Sequence, residues 1–411
     1  MAAHLTSQLI ARWNSPAEPG HAALLRRAGV DTVFLGAPPS PAFAEAARAA
    51  GLTVDPAAAP AQAVSQGAWP GIRRPGRPRN WDNDMFSSAS AEPWIDSNSY
   101  AAPLSRALGY AAAPILAYEA NAAAGLAADR SVPFETLEVA LIEARLTGGN
   151  YLLSFDPRYR AALLSGDKAA GAAWTSLGRT HAWLAANAAA ICGHAAPPAI
   201  TQLVEPGNGM NAEISNLLYR RNASPRFTAA NTPLAPNPDH LAVLIAAGLK
   251  TPPPAFVWKH AEAGSLVVTD DAAAVDRSWR KAKEEDDRAF YTLGRGQVLV
   301  YKKRVADPSE FALDVIDLLG HRRRTARLWN AQSVITFATA GAAPGEALLH
   351  VINYGSRVAE EVQARIHGHF REATLLRPES AAPTKLKVSP RGLASEVFLP
   401  NLERVAVVRF R

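Results

Sequence analysis

Along the first half of the chain, short apolar runs alternate with segments whose apolar residues recur at helical spacing. "SQLIARW", "DTVFLGAP" and "LTVDP" read as strands, and the intervening "PGHAALLRRAG" and "SPAFAEAARAAG" read as helices. The rhythm lapses between Ala57 and Ser90, where Pro, Gly and Arg dominate, and resumes with "PWIDSNS", a helix through "LSRALGY" and the strand "PILAYEA". The clearest helix comes next. Ser131 suits its cap, Pro133 fits its first turn, Phe134, Leu137, Leu141 and Ala144 share one face, and the glycines at 148 and 149 stop it. "NYLLSFD" and a long Ala-rich helix complete six or seven βα units before Ala195. Strands separated by helices imply a parallel sheet, and so many small units in series predict a compact or degenerate (β/α) TIM-like barrel over residues 1–195.

The alternation restarts near Pro197. "AITQLVEPGNG", "PRFTAAN", "LAVLIAAG" and "SLVVTDD" are strands, with helices through "NAEISNLLYRRN" and "PPPAFVWKHAEAG", which predicts an open Rossmann-like α/β unit over 197–320. Its turn "EPGNGMN" is not the GxGxxG fingerprint, so no dinucleotide cofactor is expected. Beyond the linker "GHRRRTAR", residues 327–411 change character. "SVITFATA", "EALLHVINYG", "EEVQARIHG", "REATLLRP", "KLKVSP" and "RVAVVRFR" are strands punctuated by Gly, Pro and Ser, as in a small antiparallel β-sandwich.

Length and composition agree with this division: 411 residues, 48% hydrophobic and 19% charged, suit a folded chain of two or three domains. Lys and Arg exceed Asp and Glu by 43 to 37, but the clusters "GIRRPGRPR" and "GHRRRTAR" interleave no aromatic reader pattern, so solvated linkers are favoured over a nucleic-acid track. No apolar run approaches the roughly 20 residues of a membrane-spanning helix. Cys192 stands alone, excluding an intramolecular disulfide and a multi-thiolate zinc site. Asp82 and Asp84 in "NWDNDMF" are spaced like the start of a calcium loop but lack its glycine and distal Glu, and His181 and His194 have no second ligand beside them, so no metal is expected. The N-terminus lacks the basic, apolar, small-residue succession of a signal peptide. A periplasmic or secreted location is expected if a leader was removed, and a cytoplasmic one otherwise.

A barrel, a Rossmann-like unit and a terminal sandwich in that order resemble the β-galactosidases of glycoside hydrolase family 42 and the uncharacterised glycosyl-hydrolase-like proteins related to them. "ITQLVEPGNGMNAEISNLLYRRN" is similar to the opening strand, acidic turn and helix of that family's trimerisation domain, which looks like a class I glutamine amidotransferase, and "ALLHVINYG" is similar to a strand of its terminal domain. The resemblance implies a saccharide substrate and a homo-oligomer built through 197–320, with Glu205 close to a barrel mouth. Two departures stand out. The Asn-Glu pair that carries the family's acid/base occurs nowhere in the sequence, and the only cysteine precedes the middle unit, so amidotransferase chemistry is not expected. The barrel, at about 195 residues, is also shorter than the roughly 250 of a typical one.

In barrels the reacting groups sit at the C-terminal ends of strands. Asp96 ends "PWID", Glu119 ends "PILAYE" and Asp156 ends "YLLSFD", so all three are expected to face one cavity. Glycoside hydrolysis needs two carboxyl groups across the scissile bond. Glu119, behind an apolar strand, suits the general acid because desolvation raises a carboxyl pKa, and Asp156 or Asp96 suits the ionised partner. Trp94, Asn98, Tyr100, Tyr118 and Asn121 supply the rings and amides that sugars use, with Trp69 and Trp81 as platforms in the Pro/Arg-rich loop. Each feature also has a plainer reading. "DSNS" and "DPRY" suit helix capping, and the aromatics fit core or rim positions equally well. The expected function is hydrolysis of glycosidic bonds in an oligo- or polysaccharide. The alternative is a non-catalytic saccharide-binding or scaffold protein of the same architecture.

Overall fold

The computed structural model describes residues 7–13, 16–60, 63–64, 69–73, 94–110, 113–117, 132–197, 199–236, 243–320, 324–331 and 333–411. In the first part, β1 (Leu9–Arg12), β2 (Val30–Phe34), β3 (Thr53–Asp55) and β4 (Ala63–Val64) are followed by β5 (Gly71–Arg73), β6 (Trp94–Asp96), β7 (Ile115–Ala117) and β8 (Asn150–Ser154). The helices are α1 (Pro19–Arg27), α2 (Pro41–Ala49), α3 (Ala101–Ala107), α4 (Thr136–Leu146), α5 (Pro157–Leu164) and α6 (Lys168–Ile191). Their starts are written locally. Proline stands at the first turn of α1, α2 and α5, and the Ser40 hydroxyl accepts from the Phe43 N–H at 3.2 Å to cap α2.

Six strands form one parallel sheet in the order β3-β2-β1-β8-β7-β4. The expected barrel is corrected here, because no closed barrel exists among the described residues. β4 is only two residues long, and β6, expected within the parallel series, pairs antiparallel with β5 in a separate two-stranded sheet.

The helix expected to bury one face buries all of it: every residue of α4 is buried, including Glu138, Glu143 and Arg145. It packs against α6, β8 and the terminal part of the chain. Its polar groups are met inside: Thr180 and Ser176 hydroxyls donate to Glu138 Oε1 at 2.6 and 3.1 Å, and Arg145 donates to the Gln8 carbonyl at 2.8 Å. A continuous apolar core runs from Leu141 and Leu153 to Ile335, Phe337, Leu348 and Val407, so the first and last parts of the chain share an interior.

The middle part contains β9 (Ile200–Val204), α7 (Gly209–Arg220), β10 (Arg226–Ala229), β11 (Val243–Ala246), α8 (Phe256–Glu262), β12 (Leu266–Thr269), β13 (Arg280–Glu284), β14 (Arg288–Leu293), β15 (Gly296–Tyr301) and α9 (Pro308–Leu319). Its sheet runs β10-β9-β11-β12-β15-β14-β13, parallel through β15 and finished by an antiparallel hairpin. The edge strand β13 is exposed throughout and reads "RKAKE", a charged edge of the kind that discourages strand addition.

The terminal part contains β16 (Ala326–Trp329), β17 (Val334–Ala340), β18 (Ala347–Asn353), β19 (Ala359–His367), β20 (Ala373–Leu376), β21 (Thr384–Leu386), β22 (Ser389–Arg391), β23 (Ala394–Leu402) and β24 (Val405–Phe410). Two antiparallel sheets, β16-β19-β23-β22 and β17-β18-β24-β20-β21, contribute to one apolar core. β16 begins inside the segment expected as linker. No helix among the described residues is long and apolar enough to cross a membrane.

Candidate active site

β1 and β8 lie side by side and parallel, and their C-terminal ends carry an aromatic cluster around one carboxylate. Trp13 follows β1, and Phe155 and Asp156 follow β8. The Trp13 ring meets Phe155 edge-on at 5.2 Å and the tilted His21 ring at 5.1 Å, and the Arg160 guanidinium lies over it at 4.1 Å. Phe134 stacks on Tyr159 at 4.9 Å.

Asp156 is only 5% exposed. It occupies the N-cap position of α5, yet its side chain makes no capping hydrogen bond. Two polar tips nearby, Trp13 Nε1 and the Tyr159 hydroxyl, are buried without a partner among the described residues. Burial holds the His21 ring below its ordinary pKa, with Glu18 opposing and Arg160 assisting. In the neutral ring Nδ1 accepts from the Glu18 N–H at 3.0 Å, which leaves the proton on Nε2.

The polar stretch "DSNS" has a different fate. After Asp96 the chain turns inward and its next residues close on Glu143 of α4. The Asn98 N–H and the Ser97 hydroxyl donate to Glu143 Oε2 at 2.9 and 3.2 Å, and the Asn98 side-chain amide donates to Oε1 at 2.9 Å. The Tyr354 hydroxyl, just past β18, donates to Oε2 at 2.8 Å and lies 2.7 Å from the Ser97 hydroxyl. Burial pushes the Glu143 carboxyl up to about 7, against the hydrogen bonds from Asn98, Tyr354 and Ser97 that favour its charge. The arrangement is a buried polar strut between the first and terminal parts of the chain, reinforced at the surface by Arg404 on Glu135 at 3.2 Å.

Asp96 and Asp156 are both buried, but they leave different sheets. Asn98 is 1% exposed with its amide engaged by Glu143, so it offers nothing to a sugar. Trp69 is fully buried in the core, which corrects its expected place as a platform: the ring has no free face. Tyr100 is a core residue at 8% exposure, its hydroxyl pushed up to about 12 by burial. Glu119, Tyr118, Asn121 and Trp81, together with Asp82 and Asp84, lie outside the described residues, as does the side chain of Trp94.

Glu205 ends β9 beside a crevice of about 480 Å³ lined also by Asn231, Lys250 and Pro252. Its carboxylate is occupied within its own sheet. It accepts from Lys250 N–H at 2.5 Å, from the Thr251 N–H and hydroxyl at 3.0 and 2.5 Å, and from Asn208 at 2.9 Å. Burial alone would raise this carboxyl, but those bonds outweigh it and hold it below the ordinary value. Helix α8 buries Val257 and Ala261, and Trp258 packs edge-on against Trp279 at 5.0 Å.

Sequence reasoning missed Trp13, His21, Tyr159 and Arg160. The available signal was positional: Trp13 closes the first strand, and "DPRYR" places Tyr159 and Arg160 one turn beyond Asp156.

No family model matches the chain, and no curated protein matches it. Solved structures similar to it include glycoside hydrolases at low identity. One is α-L-fucosidase isoenzyme 2 from Paenibacillus thiaminolyticus (10% identity, TM-score 0.49, covering 96% of this chain and 79% of that one). The GH42 β-galactosidase Gan42B from G. stearothermophilus, in the form of a catalytic mutant, is 11% identical with a TM-score of 0.45, covering 90% of this chain and 66% of that one. A rhamnosidase from Novosphingobium sp. PP1Y is 11% identical with a TM-score of 0.43, covering 90% of this chain and only 38% of that one. The likeness assigns the chain to no family.

Proposed function

We propose that the chain hydrolyses glycosidic bonds of an oligo- or polysaccharide, with Asp156 and Glu119 as the reacting pair and Asp96 as a third candidate. The observation that carries the reading is the state of Asp156: a buried carboxylate at the end of a parallel strand, standing in a cap position without capping. A carboxylate withdrawn from water is costly unless something pairs with it. A substrate hydroxyl or reacting anomeric carbon is a fitting partner. The rings of Trp13 and Tyr159 are core residues, and what they offer a substrate is their buried polar tips, Trp13 Nε1 and the Tyr159 hydroxyl, which suit sugar oxygens.

Glu119 follows β7 by two residues in sequence, as Asp156 follows β8, and β7 and β8 are parallel neighbours. Adjacent strands lie about 4.8 Å apart, a spacing compatible with a carboxyl pair across one glycosidic bond. In this reading Glu119 protonates the leaving oxygen, and Asp156 acts as the ionised nucleophile or water-activating base. We assign the part that carries the reacting groups to 1–195, an assembly unit to 197–320 that joins copies of the chain into a homo-oligomer, and the sandwich to 327–411.

The test is a panel of aryl glycosides and natural oligosaccharides with product analysis. Hydrolysis of at least one class supports the reading. Saturable saccharide binding with no product from any member transfers it to the non-catalytic alternative, and neither binding nor product removes both.

A further inference from the structure

We propose that a cavity at the meeting point of the three parts of the chain is a binding site for a small oxyanion, a carboxylate or phosphate carried on a compact organic body. The cavity, about 290 Å³, is lined by α3 through Arg106, by the connecting segment through His194, by α7 and β10 through Tyr219, Arg226 and Phe227, and by β17 through Phe337. None of its lining residues is acidic.

Arg106 is the centre of the argument. Its side chain is half-buried, donates to the Thr147 carbonyl at 2.6 Å, and forms no ion pair with a carboxylate among the described residues. Two glycines make room for it. A Cβ at Gly148 would stand 2.6 Å from Arg106 Nη1 and 2.8 Å from the backbone of Gly193, so that side is closed by close-packed main chain. A half-buried guanidinium at a cavity wall, with a single neutral protein acceptor, keeps most of its five donors for a ligand, and an oxyanion is the group that matches them in charge and geometry.

Two further donors bear on the same space. Arg226 lies at the exposed rim of the cavity and enters no ion pair among the described residues, and His194 Nε2 is buried without a hydrogen-bond partner there. The remaining walls are aromatic. Tyr219 stacks on Phe227 at 6.3 Å and tilts against Phe337 at 5.8 Å, which suits a flat or apolar ligand body. A ligand seated here touches all three parts of the chain. None of the residues of the strand-end cluster at Trp13 and Asp156 lines the cavity, and a ligand that bridges the three parts is placed to stabilise the assembled arrangement.

The test uses the full chain at fixed ionic strength, with calorimetry and thermal unfolding against inorganic phosphate, glucuronate and neutral glucose. Saturable binding of phosphate or glucuronate, with glucose silent, is the expected result, and the tighter of the two identifies the anionic group. Arg226→Gln, a rim substitution that leaves the core packing alone, should weaken that binding about tenfold, and Arg106→Gln should weaken it further if the variant folds. Two results overturn the proposal: no saturable binding of either anion at millimolar concentration, or stabilisation that rises without saturating and persists unchanged in Arg226→Gln, as a general salt effect does.

Discussion

Glu143 and Asp156 are both buried carboxylates, one on α4 and one past the end of β8, and the molecule treats them in opposite ways. Glu143 receives donors from Ser97, Asn98 and Tyr354, groups drawn from segments far apart in the chain. Asp156 stands in a helix-cap position and receives no cap. A buried carboxylate whose acceptors are saturated by the protein is a structural device, because its partners are already chosen. In the proposed reading, Asp156, which makes no capping bond, takes its partner from a bound saccharide. Local sequence suggested the reverse for the neighbouring polar stretch: "DSNS" looked like sugar chemistry and serves the strut.

The comparison breaks most readily at Glu143. Glu143→Ala removes the acceptor of the Asn98 N–H and side-chain amide and leaves the Ser97 and Tyr354 hydroxyls their mutual bond, and chemical denaturation should register a loss of about 3–5 kcal/mol. A loss below about 1 kcal/mol would mean that the strut is ornamental.

The pH dependence follows from the same residue. Its folded carboxyl sits near 7 against an ordinary 4.5, so the native state holds a proton in that window. The stabilising contribution is full below about 4.5 and is lost as pH rises through about 7, a swing on the order of 3 kcal/mol. Glu143→Gln should flatten that slope, lowering stability by about 1–3 kcal/mol near pH 4.5, since an amide nitrogen now faces a main-chain donor, and by progressively less as pH rises through about 7, where the parent loses its own contribution. Denaturation curves between about pH 4.5 and 7.5, the window of that titration, decide it.

Tyr354→Phe removes one of the donors and should cost about 1–2 kcal/mol. Tyr159→Phe sharpens the contrast from the other side, because the hydroxyl it removes has no partner to lose among the described residues. Its stability should stay within about 0.5 kcal/mol of the parent, while saccharide affinity falls severalfold. Equal destabilisation by the two tyrosine changes would erase the distinction between strut and site.

What the sequence disclosed was local. "LIAR", "TVF" and "NYLLS" announce strands by apolar runs, and Pro19, Pro41 and Pro157 mark helix starts that the fold keeps. What stayed hidden depends on distant partners. β6 leaves the parallel series because β5 pairs with it, and Ser97 meets Tyr354, 257 residues away. The full burial of α4 was illegible for the same reason, since the groups that meet Glu138 and Glu143, the Thr180 hydroxyl and the Asn98 amide, are more than 40 residues away in the chain. β23 has no counterpart among the expected strands, and its ladder with β19 runs on past Pro400, with Asn401 opposite Glu360 and Leu402 opposite Ala359. The orphaned tips of Trp13 and Tyr159 needed coordinates, since a missing partner leaves no trace in a sequence.

The most direct test of the account is the turnover of Asp156→Asn measured beside its unfolding temperature, on the best glycoside found for the parent chain. The account predicts a fall of about 100-fold or more in turnover, with the melting temperature unchanged within a degree or two or slightly raised, because no native capping bond is lost. Undiminished turnover, or a collapse in melting temperature that accounts for the lost activity, would contradict it.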